Sequence, residues 1–475
     1  MRRRRRRDWS LLIVIVMGVL LALLGWQWLR FRASLRVLPP NVSVAGMDAS
    51  GMAVEQVLAA LEGAYAQPVQ LSYQGQPVVL APESVGFLWD REVTRAALEA
   101  VRERRNTFSG FLAYLLRRPS PPVEIMPAVQ YSSERMNAFL ARVAQQYDRP
   151  PQEPVPLPES LTFRSGRAGY TLDQEASRQR IEAALKSAVN REVELVVHTG
   201  EAPPLQMRHL EEMLKALLAD FEGIPSIFIK DLQTGEELEI NPDVAYAGMS
   251  VLKVAVMMET YRVLDQPPDG EQTRLLTETM SASGNFTANL LLRDVIGGGD
   301  VYQGVENLTA SMRYLGLVNT FMATPYDDPT TPPTIVTPAN ARTDLNTNPD
   351  PHMQTTAREV GLMLEMIYQC SRGGGALMVA YPGAFTPEEC QQMLKMMAAD
   401  RTESMIEAGL PPGTKFARKH GWISDTHADA AIVFSPGGDF ILVVYLYRPQ
   451  WLEWDVSNPL IQRIATATYN YFNPK

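Results

Sequence analysis

The sequence predicts an α+β protein built of several parts, and three observations carry that reading. Apolar residues alternate in short runs near residues 225 and 440, with helical patterning between them. Upstream of that region one short pattern occurs twice. Near the start lies an uncharged apolar stretch of about 20 residues, enough at about 1.5 Å rise per residue to span a bilayer core of roughly 30 Å. A chain of 475 residues exceeds one ordinary core, and 46% hydrophobic with 20% charged residues excludes a largely disordered polymer.

Charge is unevenly placed. Residues 2–7 are all arginine, and without these six the net charge of −9 becomes −15 (−9 minus 6). So acidic a body disfavours nucleic acid, which binds cationic surface by counterion release, and no nucleic-acid partner is expected. The arginines are followed by WSLLIVIVMGVLLALLGWQW, with no charge before Arg30 and with Trp9, Trp26 and Trp28 at its ends, where indoles favour the interface. This arrangement predicts a cytoplasmic basic segment (1–8), a single-pass signal anchor (9–29) and an extracytoplasmic remainder. A cleaved signal peptide is the alternative. The length of the apolar run and the lack of a convincing small-x-small site after LALLG favour the anchor, while Arg30, Arg32 and Arg36 reduce the charge asymmetry. Cys370 and Cys390 lie 20 apart; an exported compartment permits a disulfide between them, and two buried thiols are the other option. The five histidines are scattered without zinc-ligand spacing, so neither metal nor cofactor is expected.

Between the anchor and residue 205, proline-rich stretches (119–127, 149–160 and 201–205) read as linkers or loops. GFLWDREVTRAALEA from Gly86 and GYTLDQEASRQRIEA from Gly169 match without a gap at Gly, aromatic, Asp, Glu, Thr/Ser, Arg, Leu/Ile, Glu and Ala. Each continues at helical spacing, through Leu98 and Val101 or Ile181 and Leu185. Two small α+β repeat units are expected, over 40–120 and 121–205; two unrelated helix starts sharing an acidic N-terminus would be the simpler account. With the opening VLPPNVSVAGMDASGMAVEQVLAAL, this region resembles the peptidoglycan-binding repeats of membrane-anchored wall proteins, often found with VanW-type domains. The resemblance implies wall binding; a stalk spacing the next part from the membrane is its rival.

From 206 to 475 the chain reads as one domain. Residues 210–221 form an amphipathic pattern, IPSIFIKDLQTGEELEINPD reads as a hairpin turned at Gln-Thr-Gly, helices follow, and DAAIVFSPGGDFILVVYLYRP is a second hairpin before a terminal helix. That order suggests an antiparallel sheet with helices gathered against it. Within it, AGMSVLKVAVMM sets Ser250 and Lys253 one turn apart at a helix start. Ser-x-x-Lys arises by chance about once in a chain this long, and a serine N-cap with a snorkelling lysine is the bland reading. Two further motifs change the balance. MSASGNFTANLLL carries Ser283 and Asn285, and ARKHGWISDTHADAAIVF carries Lys419, His420, Gly421 and Trp422 where a strand enters the sheet.

Ser-x-x-Lys, Ser-x-Asn and Lys-x-Gly in this order form the motif set of penicillin-recognising serine enzymes. Residues 215–470 resemble class A β-lactamases most. The resemblance implies a β-lactamase/transpeptidase-like fold, an antiparallel sheet with helices on both faces plus an all-helical subdomain. It also implies roles: Ser250 as nucleophile, Lys253 as its base, Ser283 as proton relay, Asn285 holding an acyl side-chain amide, and Lys419 drawing an anionic substrate. The N–H groups of Ser250 and Trp422 would form the oxyanion hole, with Gly421 keeping the strand edge open.

Two departures qualify the match. His420 stands where the family has a threonine or serine hydroxyl. In ANARTDLNTNPD, matching Leu345 and Asn346 to the family's Glu-x-x-Leu-Asn puts Arg342 in place of the deacylating glutamate, with Asp344 two residues late. An intact acylation set without that acid favours a membrane-anchored D,D-peptidase-like hydrolase or acyltransferase of cell-wall peptidoglycan in the bacterial membrane. The alternatives are a β-lactamase using another water activator, such as Asp344, and a non-catalytic muropeptide sensor.

Overall fold

Period-two alternation in the C-terminal part resolves into a five-stranded antiparallel sheet. The computed structural model describes residues 6–400 and 403–474, with side chains from residue 11; most of the basic segment 1–8 lies outside the described residues. In spatial order the strands are Glu237–Ile240, Ile224–Asp231, Phe440–Tyr447, Thr426–Phe434 and Lys415–Trp422. Both expected hairpins are present, the first closing through Gly235 at φ +80°, a left-handed position glycine adopts without penalty. Successive side chains alternate between two cores. Ile227, Ile229, Leu442, Val444 and Leu446 face helices Met207–Leu218 and Trp454–Phe472. Phe228, Ile441, Val443 and Tyr445 face helices Lys253–Val263 and Ala357–Ser371. Both faces are thereby covered, which leaves the two edge strands, Glu237–Ile240 and Lys415–Trp422, and the second of these lies against the Ser250 turn.

The helical subdomain comprises Gly270–Ser281, Asn285–Leu290 and Val301–Tyr314, with a π-helical turn at Leu291–Ile296. Gly304 is required by close approach: a Cβ there would sit 1.9 Å from Leu292 O. Cys370, on Ala357–Ser371, and Cys390, on Pro387–Met397, form a disulfide with Cα atoms 5.8 Å apart, which resolves the choice between bridge and buried thiols.

The chain divides into two compact units, residues 1–152 with 167–203 and residues 153–166 with 204–475. The proline-rich stretch 149–160 is therefore more than a linker. Val155–Leu157 pairs with Thr162–Arg164, and this hairpin packs within the C-terminal unit, where Asn470 Nδ2 donates to Leu161 O at 2.8 Å and the rings of Phe163 and Tyr471 lie 6.0 Å apart. Prolines are tolerated because the pair is isolated and its outer edges need no further partners.

In the N-terminal unit each copy of the repeated pattern runs from a short strand into an Asp N-cap and a helix. Asp90 accepts from Val93 N ahead of Arg91–Glu103, and Asp173 from Ala176 N ahead of Gln174–Lys186. The copies interleave. Val42–Val44 pairs in parallel with Val123–Ile125, Val69–Tyr73 with Glu192–Glu194, and Leu88–Trp89 lies antiparallel to Val129–Gln130. A unit of about 80 residues buries little apolar surface alone, and exchanged strands let both share two cores. The helix Arg6–Ser34 contains the one segment among the described residues, Leu11–Ser34, that is long and apolar enough to cross a membrane.

Closing a 20-residue separation, the disulfide is expected to contribute about 2–4 kcal/mol. Calorimetry with and without reductant should show a lower transition temperature on reduction, and Cys390→Ser should reproduce that shift and abolish its dependence on reductant.

Candidate active site

The turn that carries Ser250 is set by backbone geometry. Strand Tyr246–Ala247 leads through Gly248 to Met249, which holds φ +52°, a costly angle for an unbranched non-glycine residue. Gly248 N donates to Met353 O at 2.8 Å and the Tyr326 hydroxyl donates to Met249 O at 3.1 Å, fixing the residue on either side. Ser250 then lies in a 3₁₀ turn, Met249–Leu252, that runs into helix Lys253–Val263. The edge strand comes close here. A Cβ on residue 421 would lie 3.0 Å from Ser250 N and 3.2 Å from Val251 N, so glycine is what lets strand and turn meet. Ile423 N donates to Thr426 O across the hairpin, and N–H directions alternate along a strand, so the Trp422 N–H faces the open edge.

Lys253 is fully buried. Its Nζ lies 2.8 Å from Ser250 Oγ, 2.7 Å from Ser283 O, 2.6 Å from Asn285 Oδ1 and 3.3 Å from Ser283 Oγ, with the Tyr326 ring centroid 4.6 Å away. Burial, and secondarily the charge of Lys419, pushes this amine down to about 7, against an opposing pull from Asp327. A neutral amine has two N–H donors and one lone pair. With the Ser283 and Asn285 oxygens taking the donors, the lone pair is left for the Ser250 hydroxyl. Ser283 presents its carbonyl from φ +58°, between helices Gly270–Ser281 and Asn285–Leu290.

Lys419 is also buried, but its closest partners are Asp400 Oδ2 at 3.4 Å and the His420 carbonyl at 3.2 Å rather than Ser283. Burial pushes its amine down despite Asp400. The Asp400 carboxylate, resisted by burial, is nevertheless held below its ordinary range by His420, Lys419 and Arg418. His420 Nδ1 lies 2.8 Å from Asp400 Oδ2. Arg418, on the same strand, pairs with Asp429 at 3.1 Å and Glu407 at 3.2 Å. The bulky imidazole at the hydroxyl position is thus tied to a buried carboxylate that sequence reasoning did not single out.

The loop differs most from expectation. Arg342 and Asp344 pair with each other at 2.7 Å, and the guanidinium draws the Asp344 carboxyl down to about 2. Asn346 Oδ1 accepts from Asn348 N within a turn. None of these three lines the cleft of about 340 Å³ that contains Ser250, Asn285 and Trp422. Three other carboxylates line it, Asp327, Asp328 and Asp350, and of these Asp327 is bonded to a motif residue, accepting from Asn285 Nδ2 at 3.1 and 3.0 Å. Asn289 clamps the backbone before it, donating to Tyr326 O and accepting from Tyr326 N. The signal lay in the Tyr-Asp-Asp of TPYDDPTT, ahead of the Leu-Asn pair used to align the loop.

The family model described as Beta-lactamase enzyme family matches residues 209–269 and 263–472, and a peptidoglycan-binding domain model matches 103–194. No curated protein matches. Among solved structures, the chain is similar to PBP-A (17% identity, TM-score 0.44, covering 57% of this chain and 99% of that one). It is also similar to a β-lactamase from Sphaerobacter thermophilus (16%, 0.43, 56% and 98%) and to an ancestral class A β-lactamase (20%, 0.41, 55% and 98%). Because its family match covers more than half of the 475 residues, this chain belongs to the β-lactamase enzyme family.

Proposed function

We propose that this protein is a membrane-anchored, extracytoplasmic serine hydrolase that is acylated at Ser250 by D,D-peptide or β-lactam-like amides and acts on cell-wall peptidoglycan. The observation that carries the proposal is the buried Lys253 amine, poised near neutrality 2.8 Å from Ser250 Oγ. Lys253 takes the Ser250 proton as Oγ bonds to the carbonyl carbon, and the Ser250 and Trp422 N–H groups receive the developing oxyanion. Collapse breaks the C–N bond. The proton on Lys253 then passes through Ser283 Oγ, 3.3 Å away, to the leaving nitrogen. The Asn285 amide orients the acyl chain. Lys419 supplies positive potential at the strand edge, tempered by Asp400. The apolar helix supports the membrane anchor, the disulfide supports an oxidising exterior, and the peptidoglycan-binding match supports the wall as substrate.

Asp327 supports a second reading, hydrolysis of β-lactams, with its carboxylate activating the water that releases the acyl group. Asp344 is a poorer base, being ion-paired with Arg342 and ionised down to about pH 2.

Incubating the full-length protein with a fluorescent penicillin should give an adduct on Ser250 by mass spectrometry and none in Ser250→Ala. An unlabelled Ser250, or a label that survives the substitution, contradicts the proposal. Asp327→Asn should prolong the adduct by about tenfold or more if this carboxylate activates water, whereas unchanged release removes the second reading.

Acylation requires neutral Lys253, so its rate should be low in acid, rise through about pH 7 and level off above it. Because Asp327 raises the Lys253 pKa, Asp327→Asn should move that limb to lower pH in stopped-flow acylation. A limb that stays in place would assign it to another group.

A further inference from the structure

Three indoles stand exposed at one end of the edge strand. Trp422 is 61% exposed, Trp451 60% and Trp454 39%, unusual values for so large an apolar side chain. With Ile423, Ser424 and His427 they line a concavity of about 430 Å³, within the range of about 300–1,000 Å³ typical of small-ligand sites. Trp422 and Ile423 also line the Ser250 cleft, so the two hollows adjoin at these side chains.

The indoles sit on fixed backbone. Trp422 ends a strand paired residue by residue with its neighbour, His427 opposite it. Arg448 N donates to Asp425 O at 2.9 Å and Leu452 N to Ser424 O at 2.8 Å, which locks the segment bearing Trp451 onto the turn beyond Trp422. Trp454 starts the terminal helix, its ring 5.4 Å from His427, whose Nδ1 lies 2.5 Å from Ser457 Oγ. Ordered aromatic faces of this kind bind without an added cost of ordering the site.

We infer that this concavity is a saccharide subsite, seating sugar rings of a neutral N-acetylated glycan whose peptide substituent enters the Ser250 cleft. The C–H face of a pyranose is apolar and its rim is polar, which matches exposed indole planes flanked by the exposed Ser424. Charge narrows the choice of ligand. Asp425, Glu453 and Asp455 lie next to the indoles in the chain, and with Glu453 paired to Arg448 at 3.0 Å the balance stays acidic, which disfavours an anionic lipid surface or a nucleic acid and favours a neutral glycan. The inference rests on the proposed reaction in one respect, that the acyl donor is a wall peptide carried on glycan.

The test uses the full-length protein labelled with fluorotryptophan in a non-glycosidic detergent, titrated with the tetramer of N-acetylglucosamine. Fluorine resonances of Trp422, Trp451 and Trp454, assigned through single Trp→Phe variants, should move saturably with a Kd of about 1 mM, while those of Trp26 and Trp28 stay in place. Trp451→Ala should weaken binding about tenfold and leave Ser250 acylation by a sugar-free thioester donor unchanged. No saturable movement, or movement that follows protein concentration instead of sugar, overturns the subsite. If Ser250 is acylated but the resonances are unmoved, the subsite alone fails. If they move but Ser250 is never acylated, the proposed reaction fails and the saccharide site stands.

Discussion

A lysine amine without access to water organises this molecule. Lys253 cannot remain charged in its position without cost, and surrounding groups are arranged to suit a neutral amine with one free lone pair. Two carbonyl-type oxygens, from Ser283 and Asn285, meet its hydrogens. Presenting them requires Ser283 in the left-handed region, as placing Ser250 requires Met249 there. Each angle is unfavourable in isolation and persists because neighbouring bonds over-determine it. The fold's large features serve the same end. Packed on both faces, the sheet offers a rigid edge, and Gly421 lets that edge approach the turn that carries Ser250.

A second buried charge centre lies behind the edge strand. Arg418, Lys419 and His420 are consecutive, and all three engage Asp400, with Asp429 and Glu407 also pairing with Arg418. Such a network gains little net stability, because desolvation of each ion offsets most of the attraction. Its effect here is on potential. Lys419 is close enough to lower the Lys253 pKa, and Asp400 moderates how much positive field reaches the cleft. His420 fits this scheme as a group bound to Asp400, whereas a hydroxyl would be free to meet a substrate carboxylate.

The sequence made legible whatever depended on short-range order. The alternating runs marked the two hairpins, the repeated pattern marked two helix starts, and the motifs of Ser250, Lys253, Ser283 and Asn285, which the fold brings together, stood out because each sits at the start of a helix. What escaped depended on long-range placement. Asp327 reaches Asn285 across 42 residues of chain, and Asp400 reaches His420 across 20, with no local pattern to mark either. Matching the letters Leu-Asn at 345–346 drew attention to a segment whose charges satisfy each other. Strand exchange between the two repeats was likewise invisible, since each copy is locally complete and only the shortage of apolar surface hints that they must share a core.

The protonation state of Lys253 is the claim on which the chemistry turns, and nuclear magnetic resonance can read it without substrate. With lysine labelled at the ε carbon, and the resonance assigned through Lys253→Met, a pH titration of the full-length protein should give a midpoint of about 7 for this one side chain. A midpoint near the ordinary lysine value, about 10.4, would mean that the amine is charged at neutral pH and cannot take the Ser250 proton, and it would contradict the account.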